Sequence, residues 1–157
     1  MKDANEALIE RFYAAFDAKD GVTMAGYYLP RATFTDPVFP GLRGPEAGAM
    51  WRMLTGRSTD LRVELLEHEA DGDRGSAHWL AHYTFGQTGR PVVNDVRATF
   101  HFSDGMILEH TDSFGFYRWA RQALGPPGLL LGWTPVLRAY VRRRARAQLE
   151  EFMARTG

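Results

Sequence analysis

Three side chains stand where they could move a proton. Asp36 lies before a proline in "TFTDPVFPG", among apolar residues, and His110 and Asp112 are two residues apart in "LEHTDSF". In an apolar pocket such groups can act in general acid–base catalysis, because burial raises a carboxyl pKa and a nearby imidazolium lowers it. Two structural roles fit the same residues: an Asp–Pro turn whose carboxylate accepts backbone N–H bonds, and a buried pair that orients a strand. The residue types leave both open.

Two further histidines raise the question of a metal site. His78 and His82 in "HWLAHYTF" share one face of a predicted strand, opposite the face that carries Trp79 and Tyr83. A site there would need a third ligand in the right place, and these are not the spacings usual for zinc. No nucleotide-binding or hydrolase-elbow motif occurs in the chain. We therefore expect no metal and no cofactor.

The elements that must position these residues follow from periodicity. A helix is predicted over residues 4–18, a second over 22–29 that Pro30 stops, and a third that Gly44-Pro45 opens. "RATFTDP" reads as a short strand between the second and third helices. Four strand-like runs then follow: "LRVELLEHEA", "GSAHWLAHYTF", "RPVVNDVRATFHF" and "MILEHTDSFGFY". Short turns join these runs, which predicts an α+β fold with helices on one face of a strongly curved antiparallel sheet.

Composition limits the class of protein. With 157 residues, 45% hydrophobic and 24% charged, the chain fits a single globular domain. It has no cysteine, which excludes disulfides, thiolate nucleophiles and cysteine zinc sites. No apolar run is long enough to span a bilayer. A cytoplasmic protein is the default expectation.

The end of the chain is basic. From Gly115 onward there are eight arginines and two glutamates, so this part carries +6 and the remainder −6. We expect a main domain over residues 1–125 and a basic amphipathic helical extension over residues 126–157 that packs on it. Such a helix can instead lie on an anionic membrane surface, which is the less favoured interpretation. Nucleic-acid binding is not expected, because the basic residues lack interleaved exposed aromatics.

The order of motifs resembles that of a known superfamily. The residues that carry the resemblance are "LIERFYAAFDAKD", "ATFTDP", "LRG" before a helix, and "FHFSDGMILEHTDSFG". In this order the chain is similar to ketosteroid isomerases and SnoaL-like polyketide cyclases, whose members share the NTF2-like cone. The resemblance implies an apolar pocket between helices and sheet, and it places the His110 and Asp112 side of the last strand toward that pocket.

Site residues can be carried over only in part. In ketosteroid isomerases an aspartate before a proline is the general base, and Asp36 stands at that place. Their oxyanion tyrosine corresponds to Phe12, with Tyr13 one residue later and about 100° around the helix. The second oxyanion donor, an acid on a long strand, corresponds to Ala98. The resemblance therefore does not predict steroid isomerisation by that mechanism.

Two other branches of the superfamily bear on Asp112. Limonene epoxide hydrolases use an Asp-Arg-Asp set, in which Asp112 matches the last member while Trp79 and Ala81 stand at the other two places. SnoaL-like cyclases use an acid on the last strand with a nearby histidine, which His110 and Asp112 match. This branch is the one least contradicted by the residues.

The candidate site and function follow from these points. The catalytic candidates are Asp36, His110 and Asp112. The candidates for ligand contact are Phe12, Tyr13, Trp51, Trp79, Tyr83, Asn94, Ala98 and Phe114. We expect a SnoaL-like protein that binds a small apolar carbonyl compound and isomerises or cyclises it with an aspartate base, and that forms a homodimer through its sheet face. The alternatives are a non-catalytic ligand-binding module and an epoxide-hydrolase-like enzyme with a membrane-peripheral helix.

Overall fold

Helices pack on a single sheet in the computed structural model, which describes residues 3–156. The helices are α1 (Ala4–Asp17), α2 (Gly21–Ala25), α3 (Gly44–Arg57), α4 (Phe116–Leu124), α5 (Pro126–Leu131) and α6 (Pro135–Thr156). The strands are β1 (Tyr28–Thr35), β2 (Leu42–Arg43), β3 (Arg62–Asp71), β4 (Arg74–Phe85), β5 (Arg90–Ser103) and β6 (Met106–Ser113).

The six strands form one curved, unclosed sheet in the order β2-β1-β6-β5-β4-β3. Strands β3 to β6 form an antiparallel meander, as predicted. The β5–β6 turn consists of Asp104-Gly105, where both residues have positive φ, as a type I′ hairpin requires. One pair departs from the antiparallel expectation: β1 runs parallel to β6, which brings the segment after β1 beside the end of β6. This pairing positions Asp36 near Asp112.

The first helix closes the inner face of the sheet. The Asp3 side chain caps α1 by accepting the Asn5 N–H, and the helix buries Ile9, Phe12 and Phe16 in the main core. Asp17 at its end accepts a hydrogen bond from the Val63 backbone N–H at 2.8 Å. This bond fixes the end of α1 to β3, so the helix spans one wall of the space between helices and sheet.

The second helix is shorter than predicted. It ends at Ala25, whereas the sequence pattern predicted helix to residue 29. Tyr28 and Leu29 instead begin β1, where Tyr28 pairs with Ile107, and Pro30 lies within the irregular part of that pairing. Prolines in sheets concentrate at edges and bulges. Burial of Tyr28 and Leu29 in the core has overridden the local helical pattern.

The outer face of the sheet is polar. His78 lies 2.6 Å from an oxygen of Asp95, and His82 lies 2.6 Å from an oxygen of Glu64. These histidines point away from the inner face, and the Nε2 atom of each is hydrogen-bonded to one carboxylate. The homodimer through this face stays a prediction.

The C-terminal extension packs on the rest of the chain. Leu149 of α6 is fully buried in the main core, and Arg146 forms an ion pair with Glu46 of α3. Arg142 donates from Nε to the Pro37 carbonyl oxygen at 2.8 Å. The division at residue 125 itself stays a prediction. Within residues 3–156, no helix is both long enough and apolar enough to cross a membrane.

Candidate active site

A cavity of about 540 Å³ lies between the inner face of the sheet and the helices. The strands contribute Trp79, Ala81 and Tyr83 from β4, Asn94 and Val96 from β5, and Asp112 from β6. Asp36 and Val38 line it from the segment after β1, and Trp51 lines it from α3. Helices α4 and α6 complete the wall with Trp119, Tyr140, Val141 and Arg144. Most of these side chains are apolar, so carboxyl groups in the wall are poorly hydrated.

Asp112 is held at the cavity wall by a chain of buried hydrogen bonds. Its Oδ1 lies 2.8 Å from Nε2 of His110, and Nδ1 of the same imidazole lies 2.8 Å from the Tyr28 hydroxyl. Trp51 Nε1 donates to that hydroxyl oxygen, also at 2.8 Å. His110 and Asp112 are 1% and 4% exposed, so water does not compete for these bonds. This chain of hydrogen bonds links the Asp112 carboxylate at the cavity to the protein core.

The order of donors fixes the proton positions in this chain. An indole N–H can only donate, so the Tyr28 oxygen accepts from Trp51 and its own O–H is free to donate to His110 Nδ1. The imidazole then carries its hydrogen on Nε2 and donates it to Asp112 Oδ1. Every buried group in the chain is satisfied in this arrangement, as buried polar groups generally are.

Asp36 has both of the roles that the sequence allowed, because it stabilises a turn and also lines the cavity. Its Oδ1 accepts the backbone N–H groups of Val38 at 2.7 Å and Phe39 at 2.6 Å, which is a turn role. The carboxyl group also lines the cavity. Burial raises its pKa to about 7, and the negative charge of Asp112 contributes to this rise. Near neutral pH, Asp36 is therefore half protonated while it faces the same cavity as Asp112.

The two aspartates form an electrostatically coupled pair. Like charges in one poorly hydrated site disfavour the doubly ionised state, and the Asp112 charge is accordingly one of the causes that raise the pKa of Asp36. In the register of the β5–β6 pair, Ala98 lies directly opposite Asp112. Directly opposed residues share a face of the sheet. Asp112 therefore lies beside the place on β5 at which the resemblance would put an acid.

Two nitrogen donors in the wall are available to a ligand. Trp79 Nε1 is buried and, among the described residues, has no hydrogen-bond partner. Asn94 lines the cavity on β5, opposite Ala81 in the register, so its amide is within the wall rather than in the turn. An unsatisfied buried donor is costly in the empty protein, and a ligand carbonyl oxygen would relieve that cost.

The structure places most of the predicted contact residues in the cavity wall. Those that line it are Trp51, Trp79, Tyr83, Asn94 and Phe114, together with Asp36 and Asp112. Phe12, Tyr13 and Ala98, which were predicted to contact a ligand, and His110, which was predicted to be catalytic, are not among the residues that line this cavity and are buried behind its wall. Phe12 packs edge-on against His110, with ring centroids 5.7 Å apart, and Tyr13 packs against Trp79. His110 has both ring nitrogens engaged, so it acts on Asp112 and not on a ligand.

Several residues of the cavity wall and of the hydrogen-bond chain behind it were missed because their elements carry no catalytic motif. Tyr28 was placed in a helix, which hid its contact with His110 on β6. Trp119, Tyr140 and Arg144 belong to α4 and α6, beyond the stretch of the resemblance. The apolar spacing of α6 was the available signal, since it indicated that this helix packs on the domain.

Two arginines stand at the rim where α6 crosses the cavity. Arg57 donates to the Gln148 side-chain oxygen at 3.1 Å, and Arg144 donates to the Gln87 side-chain oxygen at 3.3 Å. These bonds hold α6 to the end of α3 on one side and to the β4–β5 turn on the other. The helix is therefore a fixed part of the wall.

Known folds of this shape include enzymes and proteins of several descriptions. An epoxide hydrolase of the LEH-like type from M. tuberculosis is 22% identical, with a TM-score of 0.65, and the match covers 81% of this chain and 92% of that one. IdmH of Streptomyces antibioticus, a proposed polyketide cyclase, is 20% identical, with a TM-score of 0.62 and coverage of 75% and 96%. A protein from Catenulispora acidiphila with a ketosteroid isomerase-like fold, solved with trimethylamine, is 13% identical, with a TM-score of 0.64 and coverage of 81% and 96%.

These likenesses confirm the predicted NTF2-like fold. No curated protein matches the chain. The family model for the SnoaL-like domain matches residues 9–110, which is most of the chain and includes Asp36, Trp79 and His110. The chain therefore belongs to the SnoaL-like domain family.

Proposed function

We propose that the protein binds a small or medium-sized apolar carbonyl compound in the cavity and transfers a proton at the carbon next to the carbonyl group. Such a transfer is the central step of an isomerase or a cyclase. The observation that carries this proposal is that Asp36 and Asp112 line one apolar cavity, where burial and the Asp112 charge raise the pKa of Asp36 to about 7. A carboxylate and a carboxylic acid side by side can act as base and acid on the same substrate.

The hydrogen bonds suggest which group plays which part. Asp112 receives a hydrogen bond from His110 on Oδ1, which leaves Oδ2 to accept the proton from carbon. Asp36 accepts two backbone N–H bonds on Oδ1, so its own proton resides on Oδ2. That proton can be donated to the substrate oxygen as the enolate forms. A preorganised donor at this oxygen is worth about 3 kcal/mol.

The resemblance to ketosteroid isomerases implies the opposite assignment, with Asp36 as the base. The two assignments differ in their dependence on pH. If Asp36 must be protonated, the rate falls as pH rises through 7; if Asp36 is the base, the rate rises over the same interval. We favour the first assignment because the Asp112 charge raises the pKa of Asp36.

The test measures proton transfer without knowledge of the natural substrate. The probe is 2-tetralone, an apolar ketone, whose α-hydrogens exchange for deuterium in D₂O and are followed by ¹H NMR. Asp112→Asn removes the base and is expected to lower the enzymatic exchange rate about 10²–10⁴-fold. Asp36→Asn keeps an N–H donor in place of Oδ2, so a loss of less than about tenfold is expected. Asp95→Asn on the outer face serves as the matched control and should leave the rate unchanged.

A second candidate function is non-catalytic ligand binding, favoured by the turn role of Asp36 Oδ1. Saturable binding of 2-tetralone with no exchange above the buffer rate across several cyclic ketones would select this candidate. In that case Asp112→Asn would leave affinity for the ketone nearly unchanged.

A further inference from the structure

A group of large apolar side chains projects into solvent at the junction of α5 and α6. Leu130, Trp133 and Val136 are 66%, 74% and 78% exposed, and Leu129 and Leu131 are about half exposed. These five residues are called the apolar tip below. From this surface we propose that the protein docks on a membrane that contains anionic lipid, with the apolar tip inserted at the level of the headgroups. The proposal is independent of the chemistry in the cavity.

The orientation of the tip follows from the close packing of α5 on α4. A Cβ atom on Gly128 would lie 1.9 Å from the Ala120 carbonyl oxygen, so only glycine permits this close approach. Since the glycine face of α5 points at α4, the leucines of α5 point outward. Gly125, with φ of 71°, makes the sharp change of direction between the two helices.

Polar groups of the tip are satisfied internally, as a lipid environment requires. Trp133 Nε1 donates to the Leu130 carbonyl oxygen at 3.0 Å, and the Thr134 hydroxyl donates to the Leu131 carbonyl oxygen at 2.6 Å. The Tyr117 hydroxyl donates to the Leu129 carbonyl oxygen at 3.0 Å. Entering the headgroup region would therefore break none of these bonds. Tryptophan is also a residue typical of the membrane–water interface.

The charge around the tip selects the partner. From Ser113 to Leu149 the sequence contains seven arginines and no acidic residue. Among the described residues of this stretch, Arg146 is the one arginine that forms an ion pair with a carboxylate. Arg121 lies over the Tyr117 ring at 5.3 Å, beside the tip, and Arg138 follows Val136 closely in α6. Each arginine near an anionic surface adds about 1 kcal/mol of attraction.

The same charge argues against a second copy of the chain as the partner. A two-fold dimer places the same patch of both subunits against each other, so it would bring the two arginine sets together. An anionic lipid surface supplies both the apolar layer for the tip and the opposite charge for its arginines. Val141, just over one helical turn after Val136, lines the cavity, so docking would bring the cavity wall toward the membrane.

Sedimentation with sucrose-loaded vesicles tests the proposal. The full chain is expected to sediment at low salt with vesicles of phosphatidylcholine and phosphatidylglycerol, and to stay in the supernatant with phosphatidylcholine alone. Leu130→Asp with Trp133→Asp should lower the partition coefficient at least about tenfold. Arg121→Gln and Arg138→Gln should lower it roughly fivefold for each arginine removed. Raising the salt to 0.5 M should weaken binding, since exposed charges are screened.

The controls separate docking from other effects. Val22→Asp changes an apolar side chain that is 72% exposed on α2, away from the tip, and should leave partitioning unchanged. Failure of the parent protein to sediment with anionic vesicles at low salt would overturn the proposal. So would equal binding by the Leu130→Asp, Trp133→Asp variant, or a dimer in sedimentation velocity that this variant converts to a monomer.

Tryptophan fluorescence locates the contact. Trp51, Trp79 and Trp119 are at most 7% exposed, whereas Trp133 is 74% exposed. Brominated phosphatidylcholine in anionic vesicles should quench part of the emission of the parent protein and none of the emission of Trp133→Leu, which keeps an apolar tip. Equal quenching of the two proteins would contradict insertion at this point.

Discussion

The hydroxyl of Tyr28 lies 2.8 Å from Nδ1 of His110, on the side of the imidazole opposite Asp112. Because the same hydroxyl accepts the Trp51 indole N–H at 2.8 Å, its own proton is directed at the histidine. This contact between β1 and β6 thus determines that the imidazole nitrogen facing Asp112 is the one that carries the proton. His110 is a positioning residue for Asp112, since no ligand in the cavity can reach its ring nitrogens.

The tautomer of His110 is the first prediction. The hydrogen-bond order requires the neutral ring to carry its hydrogen on Nε2. A long-range ¹H–¹⁵N correlation spectrum of ¹⁵N-labelled protein distinguishes the two tautomers by the chemical shifts of Nδ1 and Nε2. The His110 resonances, assigned with His110→Gln, should show the Nε2–H form. An Nδ1–H form would mean that Tyr28 accepts from the imidazole and that our proton order is reversed.

Replacement of Tyr28 by Phe should cost both stability and activity. Tyr28→Phe leaves Trp51 Nε1 and His110 Nδ1 without their common partner, at about 1–3 kcal/mol for each buried group. Urea unfolding should report this loss. Tyr117→Phe, which removes an exposed hydroxyl bond to Leu129, should cost less than about 1 kcal/mol.

The same variant also tests the positioning role. Loss of the tautomer bias should lower kcat for exchange of 2-tetralone, with KM nearly constant, because Tyr28 does not line the cavity. A purely structural Tyr28 would give the loss of stability with an unchanged kcat in the folded protein.

Asp36 should make the folded protein less stable as pH rises from 4 to 7. An ordinary aspartate side chain has a pKa of 3.8, whereas the pKa of Asp36 in the folded protein is about 7. Between these values the folded chain holds a proton that the unfolded chain has released, so the free energy of unfolding falls with rising pH. A difference of about three pH units corresponds to up to about 4 kcal/mol. Asp36→Asn removes this titration and should therefore raise the free energy of unfolding at pH 8, but not at pH 4.

Urea unfolding at the two pH values measures the effect. Asn can still accept the Val38 and Phe39 N–H bonds, so the turn is preserved. Asp60→Asn is the control of opposite sign, since hydrogen bonds from the Thr84 hydroxyl and backbone N–H lower the pKa of Asp60. That control should lower stability at pH 8. An Asp36→Asn protein with the same pH dependence as the parent would show that Asp36 titrates normally.

The free indole N–H of Trp79 should select ligands that carry an oxygen acceptor. Trp79→Phe is expected to weaken binding of 2-tetralone about five- to tenfold more than binding of tetralin, the same bicyclic hydrocarbon without the carbonyl. Comparing the two ligands cancels the loss of ring area. Competition for a fluorescent apolar probe in the cavity gives both dissociation constants. Equal weakening for both ligands would mean that the indole N–H does not contact the carbonyl.

The place of a residue in the fold could be predicted where a local sequence pattern decides it, but not where pairing with a distant segment decides it. Periodicity located α1, α3 and the four long strands, because each buries one regular face. The two-residue spacing of His110 and Asp112 correctly put both on one side of β6. Tyr28 was misplaced because its burial beside β6 depends on a partner 82 positions away, which no local pattern reports.

The sequence pattern also did not show which site residues line the cavity wall and which lie in the core behind it. Phe12 and His110 point inward like their neighbours, but the aromatic packing around the imidazole keeps both behind the cavity wall. The contribution of α6 to the cavity depends on where a separate helix docks. The bonds from Arg57 and Arg144 that hold it there could not be read from its own sequence.

The central claim is that Asp36 and Asp112 face one cavity and that the Asp112 charge helps to raise the pKa of Asp36, and a carboxyl titration tests it most directly. Protein labelled with ¹³C at the aspartate carboxyl carbons is titrated by NMR from pH 3 to 9, with Asp36→Asn and Asp112→Asn used for assignment. The account predicts that the Asp36 carbon titrates near pH 7 and that its apparent pKa falls when Asp112 is replaced by Asn. Titration of Asp36 near pH 4 in both proteins would contradict it.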